Sequence, residues 1–219
     1  MTLRPEKRQT LARKDTAIVI EGFSRSANTH SVAAFIVANG PGLHVGRHLH
    51  GAPHLLRAAR LGVPAVLLIR DPRDAIMSYL VRRPTLTPAD AALEYLDFYR
   101  TAWRARQGFV VAVFDEAVSD FGTVIDEVNT RFGTTFRRFE PTTQNKALAL
   151  ELVEEMNRLE CRGDVVESHV GRPSVARERA KLQLVEKLRE PRVVELLATA
   201  DQLYQRYRQL TGSKRDRQE

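Results

Sequence analysis

A chain of 219 residues is long enough for one domain with its own apolar core. Its 43% hydrophobic and 28% charged residues exclude the disordered and fibrous classes and read as soluble and globular. The formal charge of +7 points to an anionic partner, a nucleotide-like cofactor or a nucleic acid, without choosing between them. No apolar run approaches the ~20 residues of a membrane span, and the basic opening "MTLRPEKRQTLARKDT" is followed by no apolar core of a secretory signal. The lone Cys161 has no internal disulfide partner, which fits a reducing, cytoplasmic setting.

In chain order, residues 1–15 read as a basic flexible leader. "AIVIEG", residues 17–22, is a short β-rich apolar run and predicts a buried strand. "NTHSVAAFIVANG" follows with helical spacing and stops at Gly40-Pro41. "GLHVGRH" predicts a short second strand, and "APHLLRAARLG" a helix ending on Gly62. "VPAVLLIRD" is the clearest buried strand, and "DPRDAIMSYLVRR" a helix with Asp71 as N-cap and Pro72 at its first position. "TPADAALEYLDFYRTAWRARQG" predicts another helix, "GFVVAVFDE" a strand with its acidic end structural, and "GTVIDEVNTRFG" a helix closing on Gly133. Residues 134–145 read as a loop. Residues 146–210 read as helical, except around "CRGDVVESHVGRPS", and residues 211–219 as a flexible tail. Strands alternating with helices predict one α/β domain over residues 16–210 with a mostly parallel sheet.

Two junctions carry chemistry. In "GFSRSANTH" a strand gives way to small polar residues and one arginine before a helix. Such a turn either caps the helix through Ser24 or Ser26, or cradles an anion on backbone N–H groups with Arg25 as a charged donor. The Gly-Lys-Ser/Thr core of a nucleotide-binding P-loop is missing, which disfavours an ordinary ATP or GTP site. In "LLIRDPRDAIMSYL" a buried strand ends on Arg70, and Ser78 follows eight residues later on the next helix. An arginine at the carboxyl end of a strand sits where open α/β sheets bind ligands.

These two segments, in this order and each after a strand, resemble the sulfotransferases that use 3′-phosphoadenylyl sulfate (PAPS). The resemblance covers residues 17–133 and implies a three-layer, P-loop NTPase-like α/β fold with a helical C-terminal third. It implies that Arg25, Ser26, Ala27, Asn28, Thr29 and His30 hold the 5′-phosphosulfate, with Arg25 also offsetting charge on the leaving phosphate. Arg70 and Ser78 would hold the 3′-phosphate, joined by Arg172 of a late basic segment with Arg177 behind it. The family commonly has glycine where this chain has Ala27, and an aromatic residue near His30. An alanine keeps the loop geometry unstrained only at negative φ.

The stretch "GLHVGRHLHGAPH" holds His44, His48, His50 and His54. Relatives place a catalytic histidine between the second strand and the 3′-phosphate strand, which selects His48, preceded by Arg47; His50 is the alternative. Imidazole titrates where a base for an acceptor hydroxyl is needed. The histidine spacing also permits a transition metal or simple helix capping. Tyr95, Tyr99 and Trp103 form a helical stripe that reads as core or as the wall of an acceptor pocket.

The expectation is therefore sulfuryl transfer from PAPS, leaving PAP (3′,5′-ADP), to a small-molecule or glycan acceptor. It requires no metal, nucleic acid or membrane span, and leaves acceptor and oligomeric state open. The alternatives are a P-loop-like nucleotide or sugar kinase with a degenerate loop, and a non-catalytic basic protein that binds nucleic acid.

Overall fold

A computed structural model describes residues 10–215, with side chains as far as residue 211. The leader as far as residue 9 and the tail from residue 216 lie outside the described residues. Four strands, β1 (Ile18–Gly22), β2 (Val45–Arg47), β3 (Ala65–Ile69) and β4 (Val110–Val113), form one sheet in the order β2-β1-β3-β4. All three pairings are parallel, with Val19 opposite Ala65 and Val66 opposite Val110.

Nine helices are described around it. They are α1 (Asn28–Asn39), α2 (Ala52–Leu61), α3 (Pro72–Arg82), α4 (Pro88–Ala102), α5 (Phe114–Ser119), α6 (Phe121–Phe132), α7 (Thr143–Cys161), α8 (Val175–Leu182) and α9 (Pro191–Arg215). The strands are buried on both faces, as parallel sheets are, and their side chains alternate between two cores. Val19, Leu67, Ile69 and Val111 pack with α2, α3, α4 and α9; Ile20, Val66, Leu68 and Ala112 pack with α1, α6 and α7. The result is an α/β/α arrangement whose C-terminal third is helical. No helix among the described residues is long and apolar enough to cross a membrane.

Local chemistry sets the junctions. The Asp71 carboxylate accepts from the Asp74 N–H at 3.2 Å and the Thr87 hydroxyl from the Asp90 N–H at 3.1 Å, each followed by proline at the first helical position. The strand expected to run through Glu116 ends at Val113, because Phe114 begins α5 and lies under the Arg70 guanidinium, 4.0 Å from it. Within the expected loop over residues 134–145, α7 already starts at Thr143, capped by Thr142. Thr10 and Ala12 of the leader are tied down: the Thr10 carbonyl accepts from Arg47 N–H at 3.1 Å, and Ala12 is buried. The last helix continues through residues 211–215.

From β1 the chain first adds β2 on one side and then β3 on the other. The order reverses at β1, so the crevice at the carboxyl ends of β1 and β3 is the topological switch point where such sheets bind ligands. Gly22 makes that crevice possible, because a Cβ there would lie 2.5 Å from the Leu68 carbonyl oxygen. Gly22→Ala should therefore lower unfolding stability by about 2 kcal/mol, read from the urea midpoint at unchanged m-value.

Candidate functional site

The loop after β1 is a closed turn. The Phe23 carbonyl accepts from the Ser26 N–H at 3.3 Å and from Asn28 Nδ2 at 2.9 Å. Closing it forces Arg25 to φ 72° and Ala27 to φ 70°, the left-handed region that glycine occupies without strain. The negative φ that an alanine would favour is not adopted. The loop keeps the shape a glycine would give it, and Ala27 carries the strain. No side chain caps α1, so its N-terminus, next to the crevice at the end of β1, keeps N–H groups without a capping acceptor. Asn28 Oδ1, in a residue only 4% exposed, has no hydrogen-bond partner among the described residues.

The two sequence motifs touch here. Arg25 Nε donates to Ser78 Oγ at 3.0 Å, while its two terminal nitrogens donate to the carbonyls of His169 at 2.9 Å and Val170 at 3.3 Å. Three of the five N–H donors of a guanidinium are thus used among the described residues. Ser78 accepts, so its own hydroxyl hydrogen is left to donate. Arg70 donates to the Arg25 carbonyl at 3.3 Å and to Asp74 at 3.3 Å, held flat by Phe114. Arg82 donates to the His169 carbonyl at 3.4 Å and pairs with Glu160. Arg177 donates to the Glu167 carbonyl at 3.2 Å and to the Val170 carbonyl.

Burial, together with the charges of Arg177, Arg82 and Arg70, lowers the Arg25 pKa to about 9. The crevice is a poorly solvated cluster of positive charge, and its chemistry fits an oligoanion.

Other expected residues are placed differently. Ser26 is fully buried, with its hydroxyl 3.4 Å from that of Tyr99, which itself donates to the Leu68 carbonyl. Its side chain therefore serves the core beneath the loop. Thr29 lies in the first turn of α1, where a Cβ on Gly171 of the late loop would come within 3.3 Å of it. His30 is held below the usual imidazole range by burial and by Lys146. Arg172 is bound to Glu154 at 2.7 Å and Glu167 at 2.6 Å, and it is Arg177 whose charge bears on Arg25. Tyr95 and Tyr99 are core residues whose hydroxyls tie α4 to the Arg70 and Leu68 carbonyls.

The histidine segment is organised by the nearest acid upstream of it, weighed in the sequence only as a neighbour of a possible metal site. Glu21 on β1 is fully buried, and its carboxylate accepts from the N–H groups of Leu49 at 3.0 Å and His50 at 3.2 Å. Wrapping those two N–H groups around one carboxylate puts His48 at φ 56° and His50 at φ 49°. His54 completes the set. Its Nε2 accepts from the Ala12 N–H at 2.9 Å, so its proton sits on Nδ1, which donates to Glu21 at 2.9 Å. Arg47 is half-buried, and desolvation lowers its pKa. A carboxylate inside an otherwise apolar strand was the available signal, since such a charge needs several donors.

His48 and His50 stack with ring centroids 5.9 Å apart. His50 Nδ1 donates to the Gly22 carbonyl at 3.3 Å, and His50 lines a cavity of about 270 Å³ with Ser24, Phe23, Tyr79 and Phe98; His48 does not line it. Among the described residues no three His, Cys, Asp or Glu side chains are grouped so as to hold a metal ion.

No protein-family model matches this chain, and no curated protein matches it. Among solved structures it is similar to mouse sulfotransferase SULT7A1 complexed with PAP, at 16% identity over 88% of this chain and 90% of that one, with a TM-score of 0.46.

The depressed Arg25 pKa gives the crevice a pH signature. A bound anion favours the charged guanidinium, so the complex holds its proton to higher pH than the unliganded protein does. Sulfate affinity, read from thermal shift at constant ionic strength, should be flat below about pH 8 and fall about tenfold by pH 10. Arg25→Gln should flatten that profile.

Proposed function

We propose that this chain is a PAPS-dependent sulfotransferase of the P-loop-like α/β class, acting on an acceptor hydroxyl or amine. The observation that carries the reading is the contact between Arg25 and Ser78 at the switch point of the sheet. It makes one oligoanion crevice out of the two segments that the resemblance selects.

When bound, PAPS supplies the sulfuryl group and departs as PAP. The first-turn N–H groups of α1 and the remaining Arg25 donors would hold the phosphosulfate end and would oppose the negative charge that transfer develops there. Arg70, fixed against Phe114, and the Ser78 hydroxyl hold the 3′-phosphate. Arg177 takes the place expected for Arg172, whose guanidinium is already committed to two carboxylates. Ser24 precedes Arg25 and lines the cavity, so an acceptor seated there lies beside the loop that grips the donor.

The acceptor's proton needs a base. The resemblance selects His48, but the cavity lining moves the proposal to His50. A carbonyl oxygen only accepts, so His50 carries its proton on Nδ1, toward Gly22, and takes up another on Nε2. The buried Glu21 carboxylate, 3.8 Å from His50 Nδ1, stabilises the imidazolium that results.

Calorimetric titration with PAP is the test. Wild type should bind, and Arg70→Ala should bind at least tenfold more weakly. Absence of binding to wild type, or equal binding to Arg70→Ala, overturns the assignment. A separate comparison places the base: His50→Ala should keep PAP affinity and lose turnover, whereas a loss confined to His48→Ala returns the role to His48.

A further inference from the structure

The cavity beside the crevice has a charge opposite to that of the rest of the molecule. The chain carries 34 lysines and arginines, yet among the described residues none lines this cavity. Its α4 wall presents Glu94 and Asp97, three residues apart on one helix face and both exposed to solvent at the opening. Behind Glu94 stands Tyr79, whose hydroxyl donates to Oε2 at 2.8 Å and accepts from Arg83 at 3.1 Å. That contact orients the Glu94 carboxylate. No comparable partner holds Asp97 among the described residues.

The apolar part of the wall is aromatic. Phe23 meets Tyr79 edge-on with centroids 5.1 Å apart and Phe98 at 6.4 Å, so three ring systems flank the space beneath the two carboxylates. An aromatic wall topped by carboxylates favours an ammonium group, as the Arg83 guanidinium, 5.8 Å from the centre of the Tyr79 ring, already illustrates. An anionic acceptor would meet two like charges, and a neutral one would gain nothing from them. The volume of about 270 Å³ suits a single ring with a short side chain and is too small for an oligosaccharide.

We infer that the acceptor is a small amine-bearing alcohol or phenol, with its ammonium between Glu94 and Asp97 and its hydroxyl turned to His50 and Ser24. This rests on the sulfotransferase reading for the direction of the hydroxyl, but the cation preference is a property of the cavity itself. Glu94 and Asp97 become specificity-determining residues, and the glycan acceptors left open by the sequence are disfavoured.

Three matched probes test it: tyramine, 4-ethylphenol and 4-hydroxyphenylacetate, titrated calorimetrically with and without saturating PAP. Tyramine should bind about tenfold tighter than 4-ethylphenol, and the carboxylate weakest. Asp97→Asn should cut the tyramine preference about fivefold and leave 4-ethylphenol unchanged. Glu94→Gln, which keeps an acceptor for the Tyr79 hydroxyl, should do the same. Equal affinities for the three probes, a preference for the neutral or anionic one, or no binding of any overturns the inference. Loss of PAP binding with the amine preference intact removes the cofactor assignment alone; PAP binding without the preference removes the acceptor assignment alone.

Discussion

Mutual repulsion among Arg25, Arg70, Arg82 and Arg177 is the constraint around which this crevice is built. Four guanidinium groups share a partly desolvated space, and burial first, then the charges of Arg177, Arg82 and Arg70, pull the pKa of Arg25 down. What holds them is a set of acceptors drawn from distant parts of the chain. The His169 and Val170 carbonyls each take two of these guanidiniums, and Glu160, Glu167 and Asp74 offset charge at the rim. Such a cluster is costly in the absence of a ligand, a cost in keeping with the anion-binding role proposed for it.

β1 serves both halves of the site. The turn that follows it directs Arg25 into the positive crevice, whereas Glu21 reaches the opposite way and gathers Leu49, His50 and His54. One five-residue strand thereby sets the spacing between the loop proposed to bind the donor and the candidate base. The backbone strain is concentrated in the same place, at Arg25 and Ala27 on one side and His48 and His50 on the other. The packing beneath is correspondingly stiff: Tyr99 and Tyr95 bond the carbonyls at the end of β3, and Tyr207 from the last helix donates to the Tyr99 carbonyl at 2.7 Å.

Much of this was legible along the chain because it is local. β1 and β3 are apolar runs followed by polar turns, Asp71-Pro72 and Thr87-Pro88 announce helix starts, Arg70 stands out at a strand end, and the roles proposed for Arg25, Arg70 and Ser78 are those the resemblance implies. What depends on tertiary contact was not. Arg172 and Arg177 sit five residues apart in one basic segment, and only the neighbouring carboxylates Glu154 and Glu167 reveal which of them is already neutralised. His48 and His50 differ in sequence by spacing alone; the cavity separates them. Glu94 and Asp97 read as an ordinary solvated helix face until Phe23 and Tyr79 are seen across from them. Phe114 reads as strand by composition, and the Arg70 guanidinium above it marks its actual place.

The partners of Arg25 lie 53, 144 and 145 residues away in the chain. A fragment ending at Gly133 would contain all four strands and both motifs, yet it would lack the carbonyls that receive this guanidinium. The crevice is therefore not modular: contacts of such long range form only after loop closure across most of the chain. Synthesis from the N-terminus would leave the charged cluster unassembled until the residues around Val170 have emerged. The last helix, whose Tyr207 donates to the Tyr99 carbonyl, emerges later still, so core and crevice alike wait for the C-terminal third.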